Sequence, residues 1–242
     1  LDEAWTAELA DADLVLFATP VGQMHSLFAE VASKLGARTI LTDAGSTKQD
    51  VVAAARAGLG SVLPRFVPGH PIAGTEHSGA PAAFDALFRD KQVVLTPLAE
   101  TDPEALAQVS ECWKRCGARV GHLDPMRHDA IFSAVSHLPH ALAFALAATL
   151  AARPDAEELF AFAGSGLRDF TRLASSQPEM WRDICLANRD ALRRDLAAYQ
   201  VALGHVDRLL AGADGKGLLS LFERARAARE GWLERERGGD EI

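Results

Sequence analysis

A change of periodicity near residue 123 constrains the fold of this chain more than any other feature. Up to about His122, short runs rich in aliphatic and β-branched residues alternate with stretches of helical spacing, and beyond Asp124 the short runs stop. Strands alternating with helices are typical of a parallel sheet with helices packed on it. The sequence therefore predicts an α/β domain in residues 1–123 and an all-helical domain in residues 124–242.

The first half divides into individual strands and helices. Strands are predicted at residues 12–18, 39–43, 92–96 and 119–122, and helices at residues 23–35, 49–57 and 103–116. Residues 65–68 lead into a glycine-framed polar loop that contains His70. Ligands of open α/β sheets bind beyond the carboxyl ends of the strands, and the polar segments of this half fall there.

The second half contains a helix without a polar face. Residues 141–152 are apolar except for Thr149. Such a helix must be buried on all sides, in a large helical core or against another subunit, and we predict a homodimer built on this half. The predicted helical segment begins earlier, at residue 127, and includes Pro139, which removes a backbone donor, so we expect a bend near His137 and His140.

Composition excludes several classes of partner and location. The formal net charge of -8 argues against nucleic acid or an anionic membrane as a partner. Residues 141–152 fall short of the ~20 apolar residues that span a bilayer. The three cysteines form no complete metal site, and His137 and His140 lack further ligands, so we predict a reduced, cytoplasmic protein without a bound metal.

Four polar motifs occur in order across both halves. They are DAGSTK at residues 43–48, GHPIAGTEHSG at 69–79, SHLPH at 136–140 and GSGLRDFTR at 164–172. Together they resemble the prephenate/arogenate dehydrogenases of tyrosine biosynthesis. The resemblance implies a Rossmann-like nucleotide-binding domain followed by a helical dimerisation domain. It also implies oxidative decarboxylation of prephenate or arogenate to 4-hydroxyphenylpyruvate or tyrosine, with hydride transfer to NAD or NADP.

The resemblance makes His70 the catalytic residue. An unperturbed imidazole titrates near ~6.5 and can accept a hydroxyl proton at neutral pH. Ser46 would offer a second hydrogen bond to the same hydroxyl or to the nicotinamide region, and the alternative is that it caps the following helix. Lys48 is interpreted as a support of the loop or a surface charge.

Arg172 is the predicted substrate anchor, because the resemblance places it on a carboxylate and a guanidinium can grip a carboxylate with two parallel hydrogen bonds. Glu76 is a possible gate of the entrance, with ordinary surface pairing as the alternative. His137 is predicted to be structural, and His128 with Asp129 to hold the domain junction. Further assignments from the resemblance are Thr75, His140 and Ser165 as substrate-binding residues, and Thr19, Pro20, Asp43 and Ser46 as cofactor-binding residues.

No G-x-G-x-x-G turn opens the chain. By the resemblance, Leu1 lies just before the fourth strand of the family fold, so we expect the N-terminal part of the dinucleotide domain to be missing. The residue that distinguishes NAD from NADP would then lie in the missing part, so the sequence does not predict which of the two is used. Two other functions stay open: a hydroxy-acid dehydrogenase, which would need a lysine that residues 115–215 lack, and a non-catalytic homologue that dimerises and binds a ligand.

Overall fold

The computed structural model of the chain describes residues 8–74 and 83–238. The chain divides between Leu192 and Arg193 into two compact units. This division reflects compactness alone, and the predicted boundary between residues 123 and 124 stays a prediction. The predicted site residues Thr75 and Glu76 lie outside the described residues.

Strands and helices alternate in the first half, as predicted. In chain order they are β1 (Leu14–Phe17), α1 (Met24–Val31), β2 (Ile40–Asp43), α2 (Gln49–Gly58), β3 (Phe66–Val67), β4 (Gly69–Pro71), β5 (Gln92–Leu95), α3 (Pro103–Arg115) and β6 (Arg119–His122). His70 was expected in a loop and instead lies in β4, where its neighbours pair with β5.

The strands form two three-stranded sheets, β1-β2-β3 and β4-β5-β6. All pairs are parallel except β4 with β5, which is antiparallel within the otherwise parallel arrangement that we predicted. Only Pro68 separates β3 from β4. The polar residues after β2 and those of β4 therefore lie close together, because Gly69 packs against Asp43 at the end of β2.

Two hydrophobic clusters pack the helices against the strands. Successive residues of a strand point to opposite faces, and in β2 Leu41 belongs to one hydrophobic cluster while Ile40 belongs to the other. The first cluster packs helices α1 and α2 through a T-shaped series of the rings of Phe17, Phe28 and Phe66. The second packs α3 through Trp113. Burial on both faces explains why β3 and β5 are largely apolar, whereas β1 leaves Leu14 and Leu16 exposed.

After β6 the described chain is helical. The helices are α4 (Pro125–Phe132), a π-helical turn (Ser133–His137), α5 (Leu138–Ala151), α6 (Ala156–Ala161), α7 (Ser165–Thr171), α8 (Pro178–Ala187), α9 (Arg189–Ala211) and α10 (Gly215–Gly238). The π-helical turn lies immediately before Pro139, which has no N–H to donate to the carbonyl of Val135. The predicted distortion near the two histidines therefore takes this form.

The stretch Pro125–Ala151 is long and apolar enough to cross a membrane by length and composition. His128 and Asp129 lie in it, fully buried, and Asp129 is hydrogen-bonded to the backbone of Lys48 in the α/β half. That end of the stretch therefore packs inside the protein. In α5 only Ala143 is buried. The described part of the chain therefore does not provide the burial on all sides that was predicted for this apolar helix.

Candidate active site

A cleft of about 570 Å³ brings together residues from both predicted domains. Its floor includes His70 of β4, and Ser46 lies at one side. Helices of the second half close it with Phe132, His140, Arg172 and Trp181, among others. Four side chains predicted from separate motifs therefore share one cavity: Ser46, His70, His140 and Arg172.

His70 is the end of a chain of hydrogen-bonded side chains. Its Nδ1 lies 2.8 Å from Nε2 of His128, and Nδ1 of His128 lies 2.8 Å from Oδ1 of Asp129. Burial lowers the pKa of His70 well below its usual 6.5, and the nearby charge of Lys48 acts in the same direction. Burial also lowers the pKa of His128. Both imidazoles are therefore neutral at pH 7, and His70 can accept a proton.

A buried ion pair ties the segment that carries Ser46 to strand β4, which carries His70. Lys48 and Asp43 are fully buried and paired, and the ammonium of Lys48 also donates to the carbonyl oxygen of Gly69 over 2.6 Å. Asp43 accepts in turn from the backbone N–H groups of Gly69 and Gly45, over 2.9 and 2.8 Å. A Cβ on either glycine would come within 2.9 Å of Asp43, so both positions need glycine.

Two expectations are corrected by this arrangement. Asp43 was assigned to the cofactor, but its carboxylate is enclosed and its oxygens are taken by Lys48 and two backbone amides. Lys48 is buried as a support of the loop, and its interpretation as a surface charge was wrong.

Ser46 does not cap helix α2. The capping position is Lys48, which makes no side-chain capping bond. Asp129 supplies the cap from the other half of the chain, accepting from the N–H of Lys48 at 2.8 Å and of Gln49 at 2.9 Å. This contact agrees with the predicted role of Asp129 at the junction, and it removes the capping alternative for Ser46.

A second cleft of about 280 Å³ continues from the first past Ser46, Met180 and Ile184. The polypeptide just beyond the carboxyl ends of β1 and β2 lines it, including Thr19, Pro20 and Gly45. Its described lining is uncharged and mostly apolar, which fits the nicotinamide end of a dinucleotide at the edge of a parallel sheet. Thr19 and Pro20, which were predicted to bind the cofactor, both line this cleft.

Trp181 and Arg172 form the far wall of the larger cleft. The indole of Trp181 stacks on His140, with ring centroids 3.5 Å apart. Arg172 has no carboxylate partner in the described parts of the chain, so its guanidinium is available to a ligand. Ser165 is exposed and does not line the cleft, contrary to its predicted role. Sequence reasoning also missed Trp181, and no pattern in its helix distinguishes it from a core tryptophan.

His137 is structural, as predicted. It is buried, and its Nδ1 lies 3.1 Å from the amide nitrogen of Asn188. Because an amide N–H₂ group only donates, Nδ1 must accept and the ring must be neutral. Burial lowers the pKa of His137 from 6.5 to about 4.

We expect acid to destabilise the fold through His137. Between pH 6.5 and pH 4 the unfolded chain protonates this residue while the folded chain does not, so the free energy of unfolding falls as the pH falls. The variant His137→Asn keeps an acceptor for Asn188 and cannot titrate. In urea unfolding at pH 7 and pH 4.5, the wild type should lose about 2–3 kcal/mol more than the variant. Equal losses in both proteins would contradict this assignment.

Comparison with known families assigns both halves of the chain. Residues 2–122 match the nucleotide-binding domain of prephenate dehydrogenase, and residues 124–224 match the dimerization domain of prephenate dehydrogenase. The chain is 34% identical over 221 residues to the cyclohexadienyl dehydrogenase of Zymomonas mobilis, covering 90% of this chain and 75% of that protein. It is 34% identical over 244 residues to the prephenate dehydrogenase of Bacillus subtilis, covering 98% of this chain and 64% of that protein.

Solved structures show the same similarity. Prephenate dehydrogenase from A. aeolicus, in complex with hydroxyphenyl propionate and NAD+, superposes with a TM-score of 0.86 at 36% identity, covering 93% of this chain and 79% of that one. Synechocystis arogenate dehydrogenase superposes with a TM-score of 0.80 at 28% identity, covering 94% and 81%. The predicted fold class, an α/β nucleotide-binding domain followed by a helical domain, is confirmed.

Proposed function

The chain belongs to the prephenate dehydrogenase family, whose members are NAD(P)-dependent oxidoreductases, and we propose that its larger cleft oxidatively decarboxylates prephenate or arogenate. The observation that carries the proposal is the convergence of His70, Ser46 and Arg172 on one cavity that shares Ser46, Met180 and Ile184 with the smaller cleft. A proton acceptor, a hydroxyl donor and a carboxylate anchor are the groups that this reaction needs beside a hydride acceptor.

The proposed chemistry assigns a separate task to each side chain. NAD(P)+ bound in the smaller cleft would accept the hydride from the ring carbon that carries the 4-hydroxyl. His70 takes the hydroxyl proton as that oxygen becomes a carbonyl, and Ser46, at the border of both clefts, donates a hydrogen bond to the same oxygen. Carbon dioxide then leaves the opposite ring carbon, its bonding electrons complete the aromatic ring, and the oxygen regains a proton to form the phenol.

Lowered basicity of His70 suits this cycle. A strongly basic imidazole would already be protonated at neutral pH and could accept nothing, whereas a neutral one accepts the proton during hydride loss and can return it to the phenolate.

The experiment is a steady-state assay that combines prephenate and arogenate, each separately, with NAD+ and NADP+. We expect formation of reduced cofactor together with 4-hydroxyphenylpyruvate from prephenate or tyrosine from arogenate. The full-length gene product that carries this chain is the protein to use. Absence of turnover in all four combinations, with a folded protein, would refute the proposal.

Arg172→Gln tests the substrate anchor. A hydrogen bond to a charged group contributes about 1.5–3 kcal/mol, so loss of the guanidinium should raise KM roughly 10- to 100-fold, while kcat changes much less. The matched control is Arg115→Gln at an exposed arginine of α3, which should leave both constants unchanged. An unchanged KM for the substrate in Arg172→Gln would remove this residue from the anchor.

We also propose a cytoplasmic homodimer. The dimerization-domain match and the incompletely buried apolar helix α5 support the dimer. Within Leu1–Leu192 the described chain exposes Phe162, and within Arg193–Ile242 it exposes Val201 and Phe222, which is typical of protein interfaces. Sedimentation should give twice the chain mass at micromolar concentration, and a monomer under the same conditions would contradict the dimer. Free thiols on the described cysteines suit a reducing compartment.

A further inference from the structure

The carboxylate of Asp129 lies where the two halves of the candidate site meet. It accepts from Nδ1 of His128 at 2.8 Å, from the N–H groups of Lys48 and Gln49 at 2.8 and 2.9 Å, and from the side-chain amide of Gln49 at 3.1 Å. Asp129 itself is 1% exposed. Four donors on one buried carboxylate leave it no freedom to turn.

We infer that Asp129 is a positioning residue for both proposed hydroxyl partners: through His128 it sets the tautomer of His70, and through the start of α2 it holds the segment of Ser46. The inference rests on the proposed function, because it explains how His70 and Ser46 are positioned for the hydroxyl group of the substrate.

The tautomer follows from counting protons. Burial raises the pKa of Asp129, but hydrogen bonds from His128 and from the backbone of Gln49 and Lys48 outweigh it and lower the pKa overall. The ionised carboxylate can only accept, so Nδ1 of His128 must carry the proton. A neutral imidazole has one N–H, so Nε2 of His128 must accept from Nδ1 of His70. Nε2 of His70 is then left as a lone pair, the form needed to accept a hydroxyl proton.

The same carboxylate provides the charge that a protonated His70 needs. When Nε2 of His70 accepts the substrate proton, the ring becomes a cation that stays hydrogen-bonded through Nδ1 to His128. Asp129 lies one imidazole further along this chain. Its negative charge stabilises the cation, and no proton has to leave the three side chains during the hydride step.

Ser46 is held between two carboxylates. On its N-terminal side Asp43 accepts from the N–H of Gly45, and on its C-terminal side Asp129 accepts from the N–H of Lys48. Asn188, which lies between α8 and α9, fixes Asp129 in turn. Its side-chain amide donates to the backbone carbonyl oxygen of Asp129 over 2.7 Å. Since Asp129 caps α2, the hydroxyl of Ser46 is left free of the capping role.

Three variants separate tautomer control from simple packing. Asp129→Asn keeps the size but offers an N–H₂ group to donors that need an acceptor. His128→Leu removes the acceptor for His70, whereas His128→Gln restores an amide oxygen there. The matched control is Asp124→Asn, at the exposed cap of α4, where asparagine caps as well as aspartate.

The expected result is a split between kcat and KM. Asp129→Asn and His128→Leu should lower kcat by ~10²-fold with KM within a few-fold of the wild type, His128→Gln should recover about a tenth of the wild-type kcat or more, and Asp124→Asn should match the wild type. The ¹⁵N resonances of the His70 ring should report Nδ1–H in the wild type and in His128→Gln, and Nε2–H in His128→Leu.

Other outcomes identify what fails. If the active wild type shows Nε2–H on His70, or if Asp129→Asn and His128→Leu keep the wild-type kcat, the inference is wrong while the function stands. If the wild type turns over neither substrate, the proposed function fails, and the ring resonances still decide the tautomer. Should His128→Leu not fold, Asp129→Asn and His128→Gln carry the same test.

Discussion

His70→Asn should lower kcat by about 10³-fold, since a positioned acid–base group contributes ~10²–10⁴-fold. The variant loses the group that takes the hydroxyl proton, while the cleft keeps Arg172 and the cofactor side keeps its lining. KM and the binding of NAD(P)H should therefore change only a few-fold. The measurement is steady-state kinetics with prephenate or arogenate, together with fluorescence titration of the reduced cofactor.

His122→Asn is the control for this experiment. His122 is exposed at the end of β6, and the same substitution there should leave kcat unchanged. A near-normal kcat in His70→Asn would show that the proton goes elsewhere. A large rise in KM with an unchanged kcat would make His70 a binding residue instead.

Lys48→Met should lower the free energy of unfolding by about 3–5 kcal/mol, because removing one partner of a buried pair leaves an uncompensated charge. Asp43 would stay buried with two backbone N–H donors and no cation. Gly69 would also lose the ammonium that binds its carbonyl oxygen. The Ser46 segment and strand β4 should loosen together, so kcat should fall even at temperatures where the protein stays folded.

The partly exposed pair of Lys34 and Glu30 provides the comparison. Its ammonium and carboxylate lie 3.5 Å apart on side chains that are 26% and 40% exposed, and Lys34→Met should cost less than ~1 kcal/mol. Urea unfolding at pH 7 measures both variants. Equal, small losses for Lys34→Met and Lys48→Met would mean that the buried pair does not hold the Ser46 segment against β4.

Sequence patterns predicted the order of strands and helices because local periodicity records which faces are buried. Ile40 and Leu41, for example, belong to different hydrophobic clusters, and the apolar residues of α1 recur at helical spacing. The antiparallel pairing of β4 with β5 left no local signal, since β4 is only three residues long and contains glycine and proline. Asn188 separates α8 from α9, and its side-chain amide contacts Asp129 and His137, which no local pattern indicates.

The sequence motifs predicted the residues that line the candidate site. They did not predict the contacts between side chains that are far apart in the sequence. His70, Ser46, His140 and Arg172 share the cleft as expected. By contrast, Asp43 and Lys48 neutralise one another inside the protein, which no spacing distinguishes from a ligand site or a surface pair. The contact of His128 with His70 joins residues 58 positions apart, and its two partners come from different predicted domains.

The central claim is that one cleft couples hydride removal to loss of carbon dioxide. The most direct measurement is the ratio of reduced cofactor formed to carbon dioxide released when the full-length gene product acts on prephenate or arogenate. Our account predicts equal amounts of the two, with an aromatic product in the same amount. Formation of reduced cofactor without carbon dioxide, or of neither by a folded protein, would contradict it.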